Sequence, residues 1–161
     1  MEKIKVAIVG VGNCAASLIQ GIEYYRKNGK AREENLGIMN YNLGCYLPED
    51  IEVVCAFDID KRKVGERFDI ALNAKPNCVM VLHNHLPKSK VTVEMGPVLD
   101  GFSEHMKEYA PDRTFVVTNK KPSNVEQILR DSEAEILLNY LPVGSELATQ
   151  FYAEACLKTG I

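Results

Sequence analysis

Gly10, Gly12 and Ala15 stand at the spacing G-x-G-x-x-A, in the run Gly10-Val11-Gly12-Asn13-Cys14-Ala15. Small residues at that spacing have separate tasks. The first permits a tight turn, the second lets backbone approach a pyrophosphate, and the third lets a helix lie close on a strand. Taken alone the pattern is weak, and its flanks give it weight. The apolar run Val6-Ala7-Ile8-Val9 precedes it, and Ala15, Leu18, Ile19 and Ile22 follow at helical spacing. Free N–H groups and the positive end of the helix would then attract phosphates. The chemistry expected of Gly10–Ala15 is dinucleotide binding in a Rossmann-type βαβ unit.

Such a unit needs an acid at the end of its second strand, about 20 residues past the glycines, to take the adenosine ribose hydroxyls. Asp58 lies 46 residues past Gly12, and setting aside a 21-residue excursion over 30–50 leaves 25. A carboxylate there accepts both ribose hydroxyls and repels a 2′-phosphate, which favours NAD over NADP. Asp60 is a rival for the role, and Asp58 also reads as a cap for the next helix. A second candidate is Leu141-Pro142-Val143-Gly144-Ser145, at the carboxyl end of a strand, where open α/β sheets bind ligands. Its backbone, Gly144 and the Ser145 hydroxyl would face the nicotinamide half, although the same residues also make a good turn and helix cap. His83-Asn84-His85 has no further ligand cluster nearby and reads as an exposed strand or loop rather than a metal site. No metal is expected, and no nucleophile–base or paired-carboxylate pattern names a catalytic residue.

These residues must be positioned by regular elements. Lys3–Gly10 reads as a parallel strand buried on both faces. A helix follows from Asn13 to a stop at Asn28-Gly29. Residues 30–50 have no period, yet Ile38, Met39, Tyr41, Leu43, Tyr46 and Leu47 are too apolar for a solvated tether, so the segment reads as an insertion. Further on, the pattern predicts a strand at Ile51–Phe57 and a helix over Lys61–Asn73, with Lys61-Arg62-Lys63 as its solvated start. Short strands are expected at Val79–Leu82 and Val91–Met95, a helical segment around Phe102–Tyr109, and strands at Thr114–Thr118 and Glu135–Asn139. Ser123 and Glu126 have capping-box spacing, and Ser145 is the expected N-cap of a last helix striped by Ala148, Phe151, Tyr152, Ala155 and Cys156. Ile161 sits where another strand would begin, so the sequence reads as a fragment that breaks off within an α/β repeat. The expected fold is α/β, a doubly wound and mostly parallel sheet, with residues 1–161 as one NAD-binding domain.

Composition agrees with that class. The 161 residues are 46% hydrophobic, enough for one good core, and a net charge of −3 gives no basic face for nucleic acid. No apolar run approaches the ~18 residues that cross a bilayer, and no signal peptide is recognisable, so a cytoplasmic protein is expected. The five cysteines are odd in number and without C-x-x-C spacing, which fits that compartment. Cys55 and Cys156 read as buried apolar side chains.

With these residues laid out, the chain resembles the myo-inositol-1-phosphate synthase (inositol-3-phosphate synthase) family in its archaeal and bacterial branch. The similar stretches are Val6–Ala15, Gln20–Tyr25, Ala56–Asp60 with Lys63-Val64-Gly65, Gly96–Gly101 and Tyr140–Glu146. They run in family order over nearly the whole chain, and the family carries an insertion where 30–50 falls. The resemblance implies a redox-neutral conversion of glucose 6-phosphate to inositol phosphate: oxidation at C5, enolisation, aldol closure of C6 on C1, and reduction. It implies NAD held by Gly10, Gly12, Asn13, Cys14 and Ala15 at the pyrophosphate, by Asp58 at the adenosine ribose and by Leu141–Ser145 on the nicotinamide side. It further implies a homotetramer whose second domain, with most substrate contacts and the catalytic lysines, lies outside these residues. Without that domain the chain would bind nucleotide weakly and turn nothing over. Two other readings stay open: a different NAD-dependent oxidoreductase, such as an amino-acid dehydrogenase, and a non-catalytic nucleotide-sensing module.

Overall fold

Strand β1 (Ile4–Val9) lies inside a four-stranded parallel sheet, and its residues Ala7, Ile8 and Val9 are all but inaccessible to solvent. This computed structural model describes residues 2–28, 37–82 and 86–161. β1 pairs on one side with β2 (Ile51–Asp58) and on the other with β4 (Ile136–Asn139), while β3 (Val93–Met95) extends the sheet beyond β2. The strand order is β3-β2-β1-β4. Alternate side chains of β1 feed two cores, as the period of two requires. Val6 and Ile8 pack under helix α1 (Asn13–Asn28) and the short helix α2 (Phe68–Ala71), with Ala15, Ala16, Phe68 and Leu72. Ala7 and Val9 face α3 (Val125–Asp131) and α4 (Glu146–Thr159), with Leu129, Tyr152 and Ala155. Helices on both faces make the sheet doubly wound, as expected. The chain builds outward from β1 to β3, then returns to β4 on the other flank. The order therefore reverses between β1 and β4, and a crevice opens at the carboxyl ends of those strands.

Several local expectations are corrected. The helix expected over Lys61–Asn73 shrinks to α2, because Gly65 at φ +91° breaks it. The residues on either side bond to the β3 segment: Gly65 N–H donates to the Val93 carbonyl (2.8 Å) and Phe68 N–H to the Val91 carbonyl (2.9 Å). Val79–Leu82 is no strand; it lies over α1, where Gln20 donates to the Met80 carbonyl and accepts from Leu82 N–H. Thr114–Thr118 is not a sheet strand but a single antiparallel bridge, Val117 to Asp60. The helical segment near Phe102–Tyr109 is a 3-10 turn over Glu104–Glu108. The capping box fails: Asn124 caps α3 by accepting from Gln127 N–H (3.1 Å), and the Ser123 hydroxyl donates to Glu94 (2.8 Å). Of the 30–50 insertion, residues 37–50 are irregular except for a 3-10 turn at Pro48–Asp50, and 30–36 lie outside the described residues. His83-Asn84-His85 also lie outside them. Among the described residues no group of acids, histidines and cysteines is placed to hold a metal, and no helix is long and apolar enough to cross a membrane. All five cysteines are free thiols; Cys55 is buried, and burial pushes the Cys55 and Cys156 thiols up.

Candidate functional site

The two glycines of the loop do different work. Gly10 has φ +88°, and a Cβ placed on it would lie 2.7 Å from the Tyr140 carbonyl oxygen. Its lack of a side chain lets the β1–α1 turn press against the connection leaving β4. A Cβ placed on Gly12 would meet no described atom within 4 Å outside its neighbours and its own helix. The space that a side chain would fill there belongs to the crevice. Ala15, in the first turn of α1, is fully buried against the sheet, as close helix–strand packing requires. Asn13 opens α1, and its side-chain Oδ1 accepts from the N–H groups of Cys78 (2.8 Å) and Val79 (3.1 Å), tying loop to crevice wall. No acidic side chain stands in the first turn of α1, so no carboxylate of its own neutralises its positive end.

Asp58, the last residue of β2, turns its carboxylate toward this loop. Oδ2 accepts from Val11 N–H (2.8 Å), and Oδ1 accepts from Ile59 N–H (2.7 Å) and Asp60 N–H (2.9 Å). A carboxylate has about four acceptor positions, so one stays open rather than the two that a pair of ribose hydroxyls would use. The rival is closed altogether. Asp60 is wholly buried, with both oxygens engaged by Arg62 and by Val116 N–H (2.9 Å). Burial works to raise the Asp60 carboxyl, but Arg62 and the backbone donors outweigh it and hold the group below the usual carboxylate range.

Lys63 corrects the reading of Lys61-Arg62-Lys63 as a solvated helix start. It is 1% exposed, and its ammonium donates to the Val11 carbonyl (2.7 Å) and to Asn77 Oδ1 (2.9 Å), with Asp58 Oδ2 at 3.8 Å. Burial lowers its pKa, and the charges of Asp58 and Asp60 oppose that shift. The lysine can sit inside because a carbonyl, an amide oxygen and a carboxylate converge on it. Nothing in its neighbours along the sequence signals this, since all three partners lie in other segments.

The connection from β4 into α4 divides. Leu141, Pro142 and Ser145 line the crevice, whereas Val143 points fully into solvent and Gly144, at φ +91°, only turns the chain. Ser145 stands at the head of α4 but caps nothing. Its hydroxyl is buried with no hydrogen-bond partner among the described residues, 2.0 Å from where a Cβ on Gly101 would be. The cap is Asp100, whose carboxylate accepts from Leu147 N–H (2.7 Å) and Ala148 N–H (3.0 Å). Burial opposes its charge, yet those donors hold the Asp100 carboxyl below its ordinary range. Tyr152, read from the sequence as part of an apolar stripe, brings its hydroxyl to the crevice beside Gly96. Burial, then the Asp58 charge, push that phenol far up, so it stays neutral.

Gly10, Gly12, Asn13, Cys14, Asp58, Leu141, Pro142 and Ser145 thus meet around one crevice of about 420 Å³, within the range of small-molecule and cofactor sites. A broader groove of about 1060 Å³ at the start of β2 contains none of them.

No protein-family model matches the chain. Among curated relatives, it is 44% identical over 157 residues to inositol-3-phosphate synthase of Corynebacterium glutamicum, covering 98% of this chain and 41% of that protein. It is 40% identical to inositol-3-phosphate synthase of Mycolicibacterium smegmatis, covering 99% of this chain and 42% of that protein. The chain therefore spans about two-fifths of the length of the curated relatives it matches. Among solved structures, the crystal structure of Ari2 superimposes with a TM-score of 0.80 at 32% identity, over 99% of this chain and 44% of that one. A myo-inositol-1-phosphate synthase-related protein from Thermotoga maritima has a TM-score of 0.64 at 16% identity, a likeness of fold. Over the span it shares with these relatives, nearly the whole of its own length, the chain is homologous to the inositol-3-phosphate synthases.

Proposed function

We propose that this crevice binds NAD and that residues 1–161 are the dinucleotide-binding domain of an enzyme converting glucose 6-phosphate to inositol phosphate, with 30–50 inserted between α1 and β2. The observation that carries the cofactor reading is the division between the two loop glycines. Gly10 is needed by the protein's own packing, whereas Gly12 is bare on a side where only the crevice lies. The buried, unpartnered Ser145 hydroxyl supports it, because such a group costs free energy until a ligand satisfies it. Gly12, Asn13 and Cys14 would hold the pyrophosphate at the head of α1. Asp58 would take one ribose hydroxyl, and Leu141, Pro142 and Ser145 would flank the nicotinamide. Ala15 would act only by packing, and Val143 and Gly144 only by shaping the turn.

When bound, NAD supplies a hydride acceptor that is restored within the same turnover, which makes the conversion redox-neutral. The residues described here bind, orient and exclude water. Asp58 sets a negative charge where a 2′-phosphate would fall, and Lys63 fixes the Val11 carbonyl of the loop. The test uses the full-length protein with glucose 6-phosphate and a catalytic amount of NAD. Inositol phosphate without accumulation of NADH is the expected result. Net NADH would replace the reading with an ordinary oxidoreductase, and NAD binding with no chemistry would replace it with a nucleotide-sensing domain.

A further inference from the structure

The cysteines divide by where they sit. Cys55 is buried, with the Ser132 hydroxyl donating to its sulfur (3.4 Å), and Cys156 is half-buried. Cys14 and Cys78 are both exposed, and both line the crevice. They come from distant segments, Cys14 from the first turn of α1 and Cys78 from the irregular stretch that follows α2.

Asn13 holds those two segments together. Its Oδ1 takes the Cys78 and Val79 N–H groups, and its Nδ2 donates to Cys78 Sγ at 3.5 Å. Asn13 directly precedes Cys14, so one side-chain amide lies between the first turn of α1 and the Cys78 thiol. Two accessible thiols on one crevice, gathered by one residue, are the parts of a redox pair.

We propose that Cys14 and Cys78 are a peroxide-sensitive pair: oxidation links them in a disulfide across the crevice, and the disulfide and a bound nucleotide exclude each other. The thiolate of one cysteine displaces hydroxide from hydrogen peroxide and becomes a sulfenic acid. The other thiolate attacks that sulfur, forms the S–S bond and releases a second hydroxide. The two protons given up by the thiols turn both hydroxides into water, and the pair has passed two electrons to the peroxide. A disulfide needs α-carbons about 5.5–6 Å apart. Residues 77–80 have no regular secondary structure, so they, rather than the helix packed on the sheet, are the side that moves. The exclusion rests on the NAD reading, which lays the pyrophosphate at Gly12, Asn13 and Cys14; the pairing of the thiols does not. Coupling between two sites is reciprocal, so bound NAD must hinder the disulfide as much as the disulfide hinders NAD.

The test exposes the reduced full-length protein to hydrogen peroxide, with and without NAD. Peptide mapping without reductant reads the linkage, and calorimetry reads NAD binding. Cys78→Ser keeps an acceptor for the Asn13 amide and lies outside the proposed pyrophosphate contacts, so in reduced form it should bind NAD as the parent does. A urea melt checks its fold, and Cys78→Ala is the second variant. The expected result is a peptide joining Cys14 to Cys78 and a loss of NAD affinity of about tenfold or more, within the usual range of coupling between sites. Dithiothreitol should restore the affinity, NAD should slow the linkage, and peroxide should cost the Cys78 variants far less affinity. An equal loss in those variants would trace the effect to Cys14 alone and overturn the pairing. No joined peptide, or a joined peptide with NAD affinity intact, would also overturn the proposal, while NAD binding by the reduced protein keeps the NAD reading. A joined peptide in a protein that binds no NAD when reduced would keep the thiol pair and remove the NAD reading, and the exclusion with it.

Discussion

At the residue scale, Gly10 and Gly12 make the sharpest contrast, because the same substitution has opposite consequences at each. A methyl on Gly10 lies 2.7 Å from the Tyr140 carbonyl oxygen at φ +88°. Gly10→Ala should therefore cost about 2 kcal/mol or more of stability, through backbone strain and displacement of the β4–α4 connection. Gly12→Ala meets nothing and should leave the urea midpoint nearly unchanged, while weakening NAD about tenfold by filling the space the pyrophosphate needs. Urea melts and calorimetry on the two variants read both effects. Lys63 supplies a second test. Lys63→Met keeps the volume but leaves the Val11 carbonyl to the Asn77 amide alone and takes the lysine donor from Asn77 Oδ1, an expected loss of about 1–3 kcal/mol in denaturant unfolding. A loss of NAD affinity beyond that of an equally destabilised core variant would show that the lysine also sets the loop.

At the element scale, two carboxylates make contacts across the chain: Asp60 accepts from Val116 N–H, and Asp100 caps the head of α4. Asp60 has its pKa depressed in the folded protein. It therefore contributes stability that is fully present above the ordinary carboxylate pKa and is lost as pH falls through the lower, folded-state value. Asp60→Asn should lower stability at neutral pH and flatten the acid limb of stability against pH below about 4, measured as urea midpoints between pH 7 and 2. Asp100→Ala removes the acceptor for two N–H groups of α4 and should lower the thermal midpoint by a few degrees. These anchors also show where sequence stops being informative. β1, α1, β2, β4 and α4 could be read because their side-chain periods are strong and local. Thr114–Thr118 reads as a strand and 61–73 as a helix because their decisive partners, Asp60 with Val116, Arg62 with Thr114 and Gly65 with Val93, lie dozens of residues apart or in another element. Asp100 was missed as a cap for the same reason, since a cap read from sequence is sought beside its helix and this one is 47 residues away.

At the scale of the molecule, the reversal of strand order between β1 and β4 gathers the glycine loop, the end of β2 and the head of α4 at one crevice. A ligand that bridges those elements binds the folded state alone, so NAD should raise stability by mass action. At 100 times its dissociation constant the gain is about 2.7 kcal/mol, which a thermal-shift titration would show as a rising midpoint. A flat response up to millimolar NAD would count against the crevice as its site.

The two long helices that point their N-termini at this crevice are not alike: α1 has no acid in its first turn, and α4 already has the Asp100 carboxylate on its N–H groups. NAD is nearly symmetric in outline, with a nucleoside at each end of its phosphates. With two open helix heads it would find two comparable ways to lie, one of them back to front. Asp100 would repel phosphate from one head, so the crevice would act as a built-in compass: a dinucleotide bound as proposed would settle with its phosphates at Gly12, its two ends sorted before either base is touched.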